Sequence, residues 1–292
     1  MRISSMFCLP IEEYGFIRSA DMLMDAGFTA LDMTIDAKKS YVRESDIFGS
    51  GYKALANELR NRAESRGVVY NQAHAPFPSE KFYDILPRSI EFAALLGAKT
   101  IVVHPIHDVE YRGNEEPLFI RNMEFYYSLV HYARDFGIKI GIENMWQRHR
   151  VTGRICDTTC ADPKELIRYH DTLKSEGVFT VCLDVGHVAL CGREPENVIR
   201  EIGGERIGAI HIHDVDYIED LHTVPGVGKI NFDAVSRALA DINYSGDMTL
   251  EVKSFLDGFD REFYPEALSF MAKCASHLRD KVEEYKIEGN KK

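Results

Sequence analysis

Histidine, aspartate and glutamate recur in this sequence at the ends of short apolar runs, and that recurrence is its first chemical signal. Six runs close this way: Gln72-Ala73-His74, Val103-His104-Pro105, Ile142-Glu143-Asn144, Leu183-Asp184-Val185-Gly186-His187, His211-Ile212-His213-Asp214 and Leu250-Glu251-Val252. One such residue is unremarkable, because a lone histidine bonds locally and a lone glutamate sits on a solvated rim. Six in series are different, since chance would not confine them to the same end of successive runs. Imidazole with carboxylate is a donor set for zinc, manganese, iron or cobalt rather than calcium or magnesium, and the series lacks the thiolates of structural zinc. Residues two apart on a strand point the same way, so His211 and His213 face one side together, one as a ligand and the other as a substrate contact or supporting group. Asp184 and His187, three apart, bring a strand-end carboxylate and a loop imidazole to one centre.

Other clusters carry alternatives. In Asp220-Leu221-His222-Thr223-Val224-Pro225-Gly226-Val227-Gly228, Asp220 and His222 are candidate ligands or substrate contacts. The glycines of the following turn either bring backbone amides to a phosphate or make a tight connection. Trp146, three residues after Glu143, stacks on a sugar face or packs on a rim. Cys156 and Cys160 have a C-x3-C spacing compatible with a small zinc site. Otherwise the six cysteines are sparse and irregular, and read as reduced thiols.

For these residues to converge, the runs that carry them must lie side by side. Strands are predicted at Ile3–Cys8, Ala30–Ile35, Val68–His74, Thr100–His104, Lys139–Glu143, Thr180–Asp184, Ala209–His213 and Met248–Val252. Helices are predicted at Ile11–Asp25, Tyr52–Arg66, Ser79–Leu96, Pro117–Phe136, Pro163–Ser175, Pro195–Ile202, Phe232–Ile242 and Tyr264–Glu284. Gly27, Gly67, Gly97, Gly137 and Gly177 follow helices and precede strands, and Asp162-Pro163 is a capped helix start. Eight such units without a linker predict an α/β fold, a single (β/α)8 barrel over residues 1–292, with Glu288–Lys292 as a frayed tail. The ligand-type ends then meet at the C-terminal mouth, where this fold builds its sites.

Composition agrees with this reading. The chain has 292 residues, 45% hydrophobic and 28% charged, which suits a globular protein and excludes disordered or collagen-like classes. Lys plus Arg is 35 against 46 Asp plus Glu, a formal charge of −11, which argues against nucleic acid as a partner. Neither a signal-peptide core nor a membrane-length apolar run is visible, so a cytoplasmic location without membrane contact is expected.

The ordered series HAP, VVHP, IEN, LDVGH, HIHD, DLHTVPGVG and LEV, from about residue 70 to 252, resembles the xylose-isomerase-like barrel superfamily. That superfamily holds sugar and sugar-phosphate isomerases and epimerases together with abasic-site DNA nucleases of the endonuclease IV type. For the isomerase and epimerase branch the resemblance implies one divalent metal, zinc or manganese, held by Glu143, Asp184, His211 and Glu251. Glu143 and Glu251 double there as the acid/base pair that shuttles a proton through an enediolate. His187, His213, Trp146 and His74 are the candidate substrate contacts, the partner being a small sugar or sugar phosphate. A homo-oligomer is compatible with such a barrel.

For the nuclease branch the resemblance implies up to three zinc ions on His74, His104, Glu143, Asp184, His187, His211, Asp220, His222 and Glu251. Ala75-Pro76-Phe77, Asn144-Met145-Trp146 and Val185-Gly186-His187 depart from its segments. His213-Asp214-Val215-Asp216 stands where the nuclease carries a lysine, and is expected to turn acid toward a phosphate backbone. The isomerase or epimerase reading is therefore preferred, with the nuclease as alternative and a metal-dependent dehydratase on the same scaffold as a further one.

Overall fold

Short β-branched runs become strands and longer amphipathic runs become helices in the computed structural model, which describes residues 1–35 and 47–289. The strands are β1 (Ile3–Met6), β2 (Ala30–Thr34), β3 (Val69–His74), β4 (Thr100–Val102), β5 (Lys139–Glu143), β6 (Trp146–Arg148), β7 (Ile155–Asp157), β8 (Phe179–Asp184), β9 (Ile207–Ile212) and β10 (Met248–Leu250). The helices are α1 (Ile11–Asp25), α2 (Tyr52–Ser65), α3 (Leu86–Leu96), α4 (Glu115–Phe136), α5 (Pro163–Leu173), α6 (Val185–Leu190), α7 (Pro195–Ile202), α8 (Phe232–Asp241) and α9 (Tyr264–Gly289). Eight parallel strands close in the order β1-β10-β9-β8-β5-β4-β3-β2, the (β/α)8 barrel that the alternation predicts, while β6 and β7 form a separate antiparallel hairpin. Among the described residues no helix is long and apolar enough to cross a membrane.

The regular ladder stops before the apolar runs do. β4 ends at Val102, β9 at Ile212 and β10 at Leu250, so His104, His213 and Glu251 lie just past the sheet rather than in it. Two backbone bonds continue past the ladder, Val103 N–H donating to Gly141 O and Glu251 N–H to Ile212 O, each at 3.0 Å. The helix expected over Ser79–Leu96 is interrupted, with a tight turn over Ser79–Ile85 and a non-helical Phe82 before α3. Pro87 suits the first turn of α3, where no backbone donor is required. The hairpin and α6 were not foreseen, and of the expected tail Glu288 and Gly289 belong to α9, while Asn290–Lys292 lie outside the described residues.

Inside the barrel, polar side chains link strands directly. Ser4 Oγ donates to Asn71 Oδ1 at 2.8 Å and Asn71 Nδ2 to Thr249 Oγ1 at 3.1 Å. Ser4 on β1 reaches β3 past the intervening β2, a contact possible only through the barrel interior. Val102, Cys182 and Ala209 form a small apolar cluster apart from the main core.

Helix α5 is capped as its sequence predicts, Asp162 Oδ1 accepting from Lys164 N–H at 2.8 Å. Glu165 in its first turn accepts from Cys160 N–H at 2.7 Å, and burial pushes its carboxyl up to about 7. The folded state therefore holds the Glu165 proton more tightly than the unfolded chain, whose value is near 4.5. Its contribution is fully present below pH 4.5 and is lost as pH rises through 7. Chemical denaturation of Glu165→Gln is expected to show the variant gaining on the wild type across this window, by up to about 3 kcal/mol. A stability difference independent of pH would contradict this.

Candidate metal centre

The six strand ends do converge, and His211 on β9 stands at the middle. Its Nδ1 lies 2.7 Å from Glu143 Oε1 and 2.8 Å from Glu251 Oε2, so two buried carboxylates flank one imidazole nitrogen. The other Glu143 oxygen meets His104 Nε2 at 2.7 Å, and His74 Nε2 lies 3.7 Å from Glu251 Oε2. Burial works to raise both carboxyls, yet their neighbours outweigh it and hold them well below the ordinary range. For Glu143 these are His211 and His104; for Glu251 they are Lys253, His211 and His74. Burial likewise opposes charge on His211, but Cys182 and the two carboxylates hold its pKa well above normal.

Asp184 ends β8 and caps the unforeseen α6, its Oδ1 accepting from His187 N–H at 2.6 Å. Its carboxylate also meets His213 Nε2 at 3.0 Å. Asn144 staples this corner: its side chain bonds the Asp184 backbone on both sides, at 2.8 and 2.9 Å, and its carbonyl accepts from His187 Nδ1 at 2.8 Å. That bond puts the proton on Nδ1 and leaves the His187 Nε2 lone pair free for a ligand. A Cβ at Gly186 would fall 2.0 Å from the His213 ring, so only glycine admits that histidine.

His213 is fully buried, stacked on His222 at 4.2 Å, and does not line the cavity of about 490 Å³ at the mouth. His187 is likewise absent from that lining. His222 Nδ1 bonds Asp220 at 2.9 Å, and its Nε2 lies 3.3 Å from Glu251 Oε1. Burial resists both charges, but the pair holds Asp220 at about 2 and, with Glu251, lifts His222 to about 9.

Among the described residues, three sets of side chains place their donor atoms within 4.8 Å of one another: His74, Glu143, His211 and Glu251; Glu143, Asp184 and His187; and His187, His213, Asp220 and His222. Asp184 thus shares Glu143 with the first set without belonging to it, and His104 enters none but bonds Glu143. His74 Nε2 and His213 Nδ1 are buried without a hydrogen-bond partner. Buried imidazole and carboxylate donors, some of them unpartnered, fit a divalent cation of the zinc or manganese kind.

Elsewhere expectation and structure part. Gly226 and Gly228 N–H both donate to Asp214 Oδ2 at 2.8 Å, and Ile230 and Val215 N–H to Oδ1 at 3.0 and 2.9 Å. The turn considered for phosphate therefore already holds an anion, the protein's own Asp214. That carboxylate is fully buried, and Asp216 accepts from Ile218 and Glu219 N–H at the surface, so both acids cap their own loop. Cys156 is half-buried on β7, Cys160 is buried, and neither belongs to a metal-type set among the described residues, so the pair lacks the further ligands zinc needs.

Trp146 packs half-buried on the rim, edge-on to His187 at 6.5 Å, with Arg148 over its face, and is not among the cavity-lining residues. That cavity is walled by Met6, Phe7, Phe77, His74, His104 and Lys253. Lys253 was not foreseen; half-exposed, it pairs with Glu251 Oε1, and only its two-residue spacing from Glu251 signalled it.

A closed barrel of eight parallel strands with acid and imidazole gathered at its C-terminal mouth defines the class, a (β/α)8 barrel with a candidate metal centre. The chain belongs to the Xylose isomerase-like TIM barrel family, whose model matches residues 20–274. An uncharacterised protein of Methanocaldococcus jannaschii is 29% identical, over 78% of each chain. An inosose dehydratase of Clostridium botulinum is 26% identical over 70% of this chain and 76% of its own, and a D-psicose 3-epimerase of Enterocloster bolteae 23% over 79% and 74%. Among solved structures, a D-tagatose 3-epimerase-like protein superposes with a TM-score of 0.72 at 24% identity, over 97% of this chain and all of that one. An IolI protein with a bound zinc atom gives 0.71 at 18% identity, over 98% of this chain and 99% of its own.

The Asp214 carboxylate, serving four amides, fixes the loop that carries Asp220 and His222. Asp214→Ala is expected to cost about 3 kcal/mol in chemical denaturation, as buried amides lose a charged acceptor. Unchanged stability would contradict that role.

Proposed function

We propose that the chain is a divalent-metal-dependent isomerase or epimerase of a sugar or sugar phosphate. The observation that carries this is the pair of buried glutamates on either side of His211, beside the cavity at the mouth. The relatedness to epimerases and to a zinc-binding barrel supports it. Glu143, Asp184, His211 and Glu251 would hold the ion, which supplies the Lewis acidity that makes hydrogen next to a carbonyl removable. One glutamate takes that proton and the other returns it to the neighbouring carbon or the opposite face. His74 and His187 orient hydroxyls. The Lys253 ammonium stabilises charge on Glu251, and Met6, Phe7 and Phe77 shield the exchange from water.

Two other readings keep a specific support. All nine residues matching the nuclease ligand set lie in or against the three donor sets, which favours a multi-metal centre. The dehydratase relative favours loss of water after the same proton removal.

On a panel of ketoses and ketose phosphates in D2O, the wild type is expected to exchange a carbon-bound hydrogen of its substrate. Glu143→Gln and Glu251→Gln should each slow that exchange by about 10²–10⁴-fold. Full exchange in both variants would sink the assignment. Three zinc ions per chain together with incision of an abasic-site duplex would transfer it to the nuclease.

A further inference from the structure

One carboxylate at the site has no part in the reading above. Asp32 lies on β2, fully buried, with Oδ2 at 3.1 Å from His74 Nδ1, 3.0 Å from Gln72 Nε2 and 3.8 Å from His211 Nε2. Gln72 Nε2 in turn lies 2.8 Å from His211 Nε2, and the His74 and His211 rings stack at 4.3 Å. The second oxygen of Asp32 is buried with no hydrogen-bond partner.

We infer that Asp32 is a positioning residue, a carboxylate behind His74 that sets which nitrogen this imidazole presents to the donor set it shares with Glu143, His211 and Glu251. The 3.1 Å contact from His74 Nδ1 to Asp32 Oδ2 is that of a ring N–H donating to a carboxylate oxygen. The lone pair then sits on Nε2, the nitrogen that has no hydrogen-bond partner and belongs to the set with Glu143, His211 and Glu251. On the far side of His211, Nδ1 faces the two glutamates while Nε2 faces Gln72 and Asp32. Of the two histidines only His74 is within hydrogen-bond distance of Asp32, and a carboxylate in this position orients that ring and raises its basicity toward a cation.

Neutral groups would serve if only the fold were at stake, since Ser4, Asn71 and Thr249 link strands across the same barrel without charge. A buried carboxylate with one unbonded oxygen is a costly way to make that link. Placed behind a cation ligand, its charge instead strengthens binding.

The inference rests on the metal reading and extends it one layer outward. Calorimetric titration of the metal-free chain with Zn²⁺ and Co²⁺, with Co²⁺ absorption spectra, compares wild type with Asp32→Asn. The variant is expected to bind both ions about 10–100-fold more weakly with shifted Co²⁺ bands, while the metal-free melting temperature changes little. Equal affinity and identical spectra would overturn the inference and leave the metal reading intact. No binding by the wild type would overturn both. Should Asp32→Asn not fold, long-range ¹H–¹⁵N spectra of the zinc-loaded wild type decide: His74 protonated at Nδ1 supports the role, and His74 protonated at Nε2 overturns it.

Discussion

Two carboxylates buried against one imidazole nitrogen are the constraint on which this structure turns. Removing Glu143 and Glu251 from water and setting both within hydrogen-bond distance of His211 Nδ1 is unfavourable unless positive charge compensates. Lys253 and His222 supply part of it around the outer oxygen of Glu251. The inner faces, where His74 Nε2 has no hydrogen-bond partner, call for a cation. Polar side chains inside the barrel follow from the same demand: Gln72 and Asp32 lie under the imidazoles where a purely structural barrel would carry Val or Ile.

The mouth is assembled by short-range devices rather than by the sheet alone. Asn144 ties the end of β5 to the end of β8, and Asp184 both caps α6 and faces His213. Asp214 gathers four amides and so fixes the loop that delivers Asp220 and His222. Asn144 and Asp214 stand outside the donor sets and fix ligands in place, as precise sites require, while Asp184 is itself a donor.

The barrel was legible because period and punctuation agree. Gly97 and Gly137 end α3 and α4 in the left-handed conformation, and Asp162-Pro163 starts α5. The donor residues were legible because the barrel brings every strand end to one rim. Asp32 was not, since a single acid within Ala30–Thr34 reads as solvent-facing, and β2 shifts register between Leu31 and Asp32, where counting alternate residues fails. The fate of Pro225-Gly226-Val227-Gly228 was equally hidden. Glycine-rich turns bind anions, but nothing local says that the anion is Asp214, which reaches the loop through the bridge between Asp214 and Thr223. The β6–β7 hairpin escaped because three-residue strands leave too little alternation to see.

The central claim is that a divalent cation reconciles Glu143 with Glu251, and anomalous diffraction at the zinc edge from crystals grown with Zn²⁺ tests it most directly. A peak about 2.0–2.2 Å from donor atoms of Glu143, Asp184, His211 and Glu251 is the predicted result. Zinc bound elsewhere, with none between the two glutamates and both still in contact with His211, would contradict the account.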